Sequence, residues 1–164
     1  MKIEWISRIG MVALAVLFVG TSWAGGPNAG LIKSNSLTVE NDPTTSSWTS
    51  TCDISVSGVD VNQIYSGRML FQFLPSFGGP TVTVFDAFFQ VDPANRTWTE
   101  SIPGIYTVKA KLKGHDVTAH AEYKFNTITP GDRFLCGSRI DQGPISSATT
   151  TLFGSNMDNT VAQP

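Results

Sequence analysis

The clearest pattern in the chain is an unbroken alternation of apolar and polar positions over Tyr106–Lys113, repeated over Val117–Phe125. Side chains in a strand point alternately to opposite faces. Tyr106, Val108, Ala110 and Leu112 therefore share one face, and Thr107, Lys109, Lys111 and Lys113 share the other. In the second run Val117, Ala119, Ala121, Tyr123 and Phe125 alternate with Thr118, His120, Glu122 and Lys124. Lys113-Gly114-His115-Asp116 separates the runs, and Gly114 can take the positive φ of a type II′ turn at its first central position. The spacing predicts a hairpin with Leu112 opposite Val117 and both apolar faces on one side.

The same reading yields shorter strands elsewhere. Ser36–Glu40 reads as a first strand closed by an Asn41-Asp42-Pro43 turn, and Thr44–Ser50 as a polar loop interrupted by Trp48. A second strand begins near Thr51 with Cys52, Ile54 and Val56 inward, and Gly58 ends it or bulges it. Val59, Val61 and Ile64 are expected to lie in an irregular segment under the core. Arg68–Leu74 is apolar on both faces, as a strand covered on both sides would be. Over Thr81–Val91 the phase slips, since Val82 and Val84 fall out of step with Phe89 and Val91; a bulge near Asp86 or a strand switching sheets would reconcile them. Arg96–Ile102 is a short strand that places Trp98 in the core, Pro103-Gly104 is a turn, and Phe134–Cys136 is a late strand. Seven to eight strands with turn signals about every ten residues, and no helical period after residue 24, predict an all-β sandwich.

The ends read differently. Lys2 and Arg8, an apolar run over Ile9–Gly20 and Ser22-Trp23-Ala24 have the form of a signal peptide over residues 1–24, cleaved near Ala24. The run is short for a span, which needs about 20 apolar residues. A pilin-type leader is the rival at Arg8-Ile9-Gly10-Met11, but Ala15 stands where such leaders keep a Glu. No Cys follows the cleavage site to carry a lipid. Residues 25–35 are expected to be a flexible entry, 36–140 the sandwich, and 141–164 a Ser/Thr/Gly/Asn-rich mobile tail, with Thr151-Leu152-Phe153 as a short docked strand at most. No sorting-type wall anchor is present in that tail. Secretion or a periplasmic location is expected, with no membrane span after leader removal.

Charge narrows the function. The chain carries 11 basic and 13 acidic residues, and setting aside Lys2, Arg8 and Glu4 with the leader leaves 9 and 12, a net −3. A mildly acidic domain is a poor match to nucleic acid, whose binders carry a basic field. Lys109, Lys111, Lys113 and Lys124 share a strand face, which reads as solvated and guarded against edge pairing. The 2 cysteines, Cys52 and Cys136, predict a disulfide in an exported chain. Closing that loop is worth about 4–5 kcal/mol on the chain-entropy estimate. A catalytic thiol would need a His base, and nothing in the sequence sets His115 or His120 beside either sulfur.

At Gly104-Ile105-Tyr106-Thr107-Val108 the chain resembles the immunoglobulin-like and prealbumin-like sandwich modules of secreted bacterial proteins. In many of these a Pro-Gly or Asp-Gly turn precedes a Tyr whose hydroxyl bonds back to the backbone at a corner. Cys52-Asp53-Ile54-Ser55-Val56-Ser57-Gly58 resembles their early strand, and Cys136 their closing Cys; the similarity covers about residues 34–136. It implies an immunoglobulin-like sandwich with Tyr106 as the corner residue, set by Gly104.

No catalytic motif appears: there is no Gly-x-Ser-x-Gly, His-Glu-x-x-His, phosphate loop or calcium loop. His115 and His120 with Asp116 are the candidate metal ligands, but strand alternation separates the two rings, so no metal or cofactor is expected. Asn95-Arg96-Thr97 matches a glycosylation acceptor, which matters only in a eukaryotic secretory route. Phe77, Phe85, Phe88 and Phe89 are read as core, with an exposed aromatic patch as the functional alternative. These observations point to a non-enzymatic binding or structural module for an extracellular protein or glycan. Binding would use the loops Pro75–Pro80 and His115–Asp116 or the aromatic surface. A small secreted hydrolase or metal-dependent enzyme, and an appendage subunit completed by a donated strand, are the alternatives.

Overall fold

The computed structural model describes residues 30–42, 44–147 and 150–161. The leader over 1–24 and the first part of the entry, 25–29, lie outside the described residues. Nine strands are described. They are β1 (Ile32–Asp42), β2 (Ser47–Ser57), β3 (Tyr65–Leu74), β4 (Val82–Val91), β5 (Thr97–Ile102), β6 (Tyr106–Lys113), β7 (Asp116–Phe125), β8 (Arg133–Gln142) and β9 (Thr150–Thr160), with one 3₁₀ turn, Ile145–Ser147, between the last two. They form two antiparallel sheets, β1-β2-β7-β6-β5 and β4-β3-β8-β9.

The β6–β7 hairpin has the predicted register, Leu112 opposite Val117. In its turn Gly114 alone has positive φ, 58°, which is the type II′ signature. Val108, Ala110, Leu112, Val117, Ala119 and Ala121 all lie in the core, as the alternation requires. Facing them across the sandwich are Tyr65, Met69 and Phe71 of β3, Phe85, Phe89 and Val91 of β4, and Phe134 and Ile140 of β8. Cys52 of β2 and Cys136 of β8 form a disulfide between the sheets, with Cα atoms 6.5 Å apart. Strand order and bridge together give the immunoglobulin-like arrangement. β1-β2-β7-β6 correspond to A-B-E-D, β4-β3-β8-β9 to C′-C-F-G, and the bridge joins the B and F equivalents. Phe71 of β3 lies opposite Cys136, at the level where antibody domains place a core Trp.

Several expectations need correction. The first two strands run past their predicted limits, so Ile32–Asn35 belong to β1 rather than to a flexible entry, and Ser47–Ser50 belong to β2. Their turn is built by Asp42, whose carboxylate accepts the Thr44 amide and the Thr44 and Thr45 hydroxyls. Those bonds, with the Thr44 hydroxyl the largest cause, hold its carboxyl at about 2. The Ser/Thr positions that read as loop point outward from a half-solvated sheet, where such residues are at home. The bulge in β4 falls at Val84, between Thr83 opposite Gln72 and Phe85 opposite Phe71, and restores the phase two residues earlier than expected.

The largest correction concerns residues 141–164. The expected mobile tail instead contributes β9, which pairs with β8 from Arg133–Thr160 to Gln142–Thr150 and buries Leu152 in the core. Its inward positions include Ser155 and Asn159 because β9 borders β1 along a polar seam. There the Asn35 amide bonds the Ser155 hydroxyl, and the Asn159 amide donates to the Leu37 carbonyl at 3.2 Å. Those polar residues erased the apolar period. The sandwich therefore begins at β1 and ends at β9, outside the predicted limits of 36 and 140.

Tyr106 is not the corner tyrosine. Its hydroxyl donates to Glu100 Oε1 at 2.8 Å across the β5–β6 hairpin, and its ring lies 5.0 Å from that of Phe85. Backbone capping falls to the buried Tyr65, whose hydroxyl donates to the Asp60 carbonyl at 2.8 Å. Gly104 does supply the turn, with φ 75°. Trp98 on β5 is half-buried rather than enclosed, and packs 6.3 Å from Phe89.

Candidate functional site

The outer face of the five-stranded sheet carries only polar side chains on its central strands. Lys109, Lys111 and Lys113 project from β6, and His120 on β7 lies between Lys109 and Asp53 in the register. The His120 ring bonds the Asp53 carboxylate, with Nδ1 at 2.8 Å from Oδ1. That bond, aided by the charges of Asp53 and Glu122 and opposed by partial burial and Lys109, lifts the imidazole pKa above the usual 6.5. A raised folded-state pKa makes the charged ring stabilising below 6.5, and this contribution is lost as pH climbs through the raised value. Stability to urea should therefore fall as pH rises from about 6 to about 8, and His120→Gln should flatten that slope. Unfolding curves for both proteins across this range check it.

His115 lies elsewhere. Its ring Nδ1 is 2.9 Å from the Val59 carbonyl, and its own carbonyl accepts the Gly58 and Val59 amides at 2.8 and 3.0 Å. It thus fastens the β6–β7 turn to the β2–β3 connection. The structure does not bring the two rings together, and no group of three His, Cys, Asp or Glu suited to a metal occurs among the described residues. The loops proposed for binding are separated as well. Pro75–Pro80 joins β3 to β4 at one end of the sandwich, and His115 stands at the other. The four phenylalanines divide: Phe85 and Phe89 are buried, while Phe77 and Phe88 are exposed by 80% and 48%.

The outer face of the four-stranded sheet holds the most developed site. Arg68 on β3 lies directly opposite Arg139 on β8. Two like charges across a strand pair repel unless each is balanced. Arg68 forms a forked pair with Asp86, Nε to Oδ1 at 2.6 Å and Nη2 to Oδ2 at 2.7 Å, and its guanidinium lies 5.2 Å from the centre of the Phe88 ring. This pairing holds the Asp86 carboxyl below its usual range. Arg139 Nε bonds Asp141 Oδ2 at 2.8 Å, and Asp141, only 3% exposed, also accepts the Thr151 hydroxyl at 2.8 Å. At one end of the same face Arg133 pairs with Asp158.

Beside the two arginines lies a hollow of about 280 Å³, floored by Leu70, Gly137 and Gly154 and bordered by Asn156. Neither glycine is there for backbone reasons, since neither has positive φ. A Cβ on Gly154 would meet nothing nearer than the Ser138 carbonyl at 3.8 Å, an ordinary contact. At Gly154 the missing side chain leaves open surface, whereas a Cβ on Gly137 would stand 3.2 Å from Asn156 Oδ1. The hollow depends on β9, because the register sets Gly154 opposite Arg139 and Asn156 opposite Gly137. Sequence reading missed it: an absence of side chains at two positions in different strands has no local signature.

No family model matches the chain, and no curated protein does. Among solved structures, a protein of Bordetella pertussis termed ApaA is 9% identical with a TM-score of 0.38, covering 82% of this chain and 94% of its own. A structural-genomics target is 7% identical at 0.38, covering 81% and 88%. A strand-swapped CTLA-4 from the duckbill platypus is 11% identical at 0.28, covering 86% and 87%. All are low-scoring similarities, and the immunoglobulin-like assignment of this chain stands on its own strand order and disulfide.

Proposed function

We propose that this is an exported, non-enzymatic binding module whose recognition face is the outer surface of the four-stranded sheet. The observation that carries the reading is the open, glycine-floored hollow beside the facing arginines Arg68 and Arg139. Arginine held flat by a forked carboxylate and an aromatic ring is a low-entropy anchor for a protein surface. The exposed Phe88 beside it adds the kind of aromatic area that interfaces favour. The hollow accepts one side chain of a protein partner, with the unused guanidinium N–H groups directed at its carbonyl or carboxylate oxygens. Asp86, Asp141 and Asp158 on this face are each engaged by an arginine, which supports binding over acid–base chemistry there. A buried disulfide and a leader-like first segment support export to the periplasm or medium.

Gly154→Leu fills the hollow without disturbing the backbone. The mature chain from Gly25 and this variant, immobilised side by side, would be exposed to the native extracellular fraction. The reading expects one protein that the parent retains and the variant loses by about tenfold or more. Equal retention by both would remove the hollow from the account, and retention of a glycan alone would replace a protein partner with a sugar.

A further inference from the structure

A two-sheet sandwich has four edge strands, and each unpaired edge is a template for another strand unless something guards it. Three of the four are guarded here. β1 turns a charged side chain inward, with Lys33 Nζ 5.9 Å from the centre of the Phe153 ring, and carries Glu40 and Asp42 outward. β9 lies against β1 and is tied to it by the Asn35 and Asn159 amides. β5 is only 6 residues long, and its neighbour β6 sets Lys109 and Lys111 beside it.

β4 has none of these protections. Its 10 residues, Val82–Val91, are mostly β-branched or aromatic, contain no Pro or Lys, and carry one charge, Asp86. That charge is neutralised by Arg68 on the adjacent strand. Among the described residues β3 is its one strand neighbour, and no other strand bonds the backbone of its far side.

We propose that β4 pairs antiparallel with β4 of a second copy of this chain about a two-fold axis at Phe88, joining the two four-stranded sheets into one. The occupant follows from the edge itself. Extended backbone is what an edge binds, and an antiparallel edge is complementary to its own copy about a two-fold axis. The charge pattern selects the register. An axis at Asp86 would set two carboxylates face to face, whereas an axis at Phe88 sets Phe88 against Phe88 and Asp86 opposite the partner's Gln90. Gln90 Oε1 already accepts the Ile145 amide at 3.2 Å, which leaves its Nε2 to donate to that carboxylate. The paired stretch runs from Phe85 to Val91, bounded by the Val84 bulge and Pro93. The hollow over Gly137 and Gly154 lies toward the opposite edge of the sheet, so this contact shares only Phe88 and the Arg68–Asp86 pair with the proposed binding site, and Gly154→Leu should leave the pairing intact.

Sedimentation equilibrium on the mature chain tests the pairing. The parent should pass from monomer to dimer mass as concentration rises. Phe88→Lys, at an exposed position, and Gln90→Glu, nearly isosteric, should each weaken association by about tenfold or more, because each sets like charges across the axis or against the partner's Asp86. Phe88→Cys should oxidise to a covalent dimer, while Thr99→Cys on β5 should not. A parent that stays monomeric throughout, a dimer unaffected by both charge substitutions, or equal cross-linking at the two cysteines would each overturn the proposal.

Discussion

Gly67→Ala is expected to destabilise the protein by about 3 kcal/mol or more, far above the usual effect of one added methyl. Gly67 sits on β3 between Phe89 of β4 and Ile140 of β8. The Phe89 ring lies across the space a side chain would take. A Cβ there would stand 2.2 Å from the Arg139 carbonyl and 2.3 Å from Phe89 Cζ. One obstacle is backbone of the central ladder, and the other is a fully buried ring that also packs on Trp98. Neither can retreat without opening the core. Chemical denaturation of the purified variant, or its failure to accumulate, measures the effect. The contrast with Gly154, where the added atom meets only ordinary contacts, makes the pair informative. Equal tolerance at both positions would contradict the β3–β4 packing.

Replacing Cys52 and Cys136 together with Ala should cost about 2–5 kcal/mol, and the loss should persist at every pH. The bridge closes a separation of 84 residues between the second and eighth strands, so cutting it frees most of the chain in the unfolded state. Both cysteines are buried in the core, which adds a packing loss to the entropic one. Urea unfolding of the double variant against the parent, each under non-reducing conditions, gives the difference directly. A change below about 1 kcal/mol would mean that the two sheets hold together without their link.

Much of the architecture was legible in the residues. The β6–β7 hairpin announced itself because both strands are buried on one face only, so strict alternation survived, and Gly114 marked the turn. The disulfide followed from an even cysteine count in a chain with a leader-like start. Signals failed where a strand meets something other than core. β9 lines a polar seam, so Ser155 and Asn159 point inward and the period disappears. The outward Ser and Thr of β1 and β2 resemble loop composition, and only the ladder distinguishes the two. The corner tyrosine was misplaced because the Pro103-Gly104 turn resembles a corner, whereas Glu100 across the hairpin takes the Tyr106 hydroxyl, and the hydroxyl that bonds backbone is that of Tyr65 on β3.

The candidate site was not legible at all. Arg68 and Arg139 are 71 positions apart, and only the β3–β8 register sets them side by side. Gly137 and Gly154 acquire meaning only when β9 is seen to pair with β8. Each of these residues looked ordinary alone.

Both the closed sandwich and its hollow rest on the last strand, so nuclear Overhauser contacts between β8 and β9 are the decisive measurement. The account predicts cross-strand backbone contacts between Arg139 and Gly154 and between Cys136 and Met157, with slow exchange at those amides of Thr150–Thr160 that point toward β8. Amides there that exchange at unstructured rates, with no contact to β8, would contradict it.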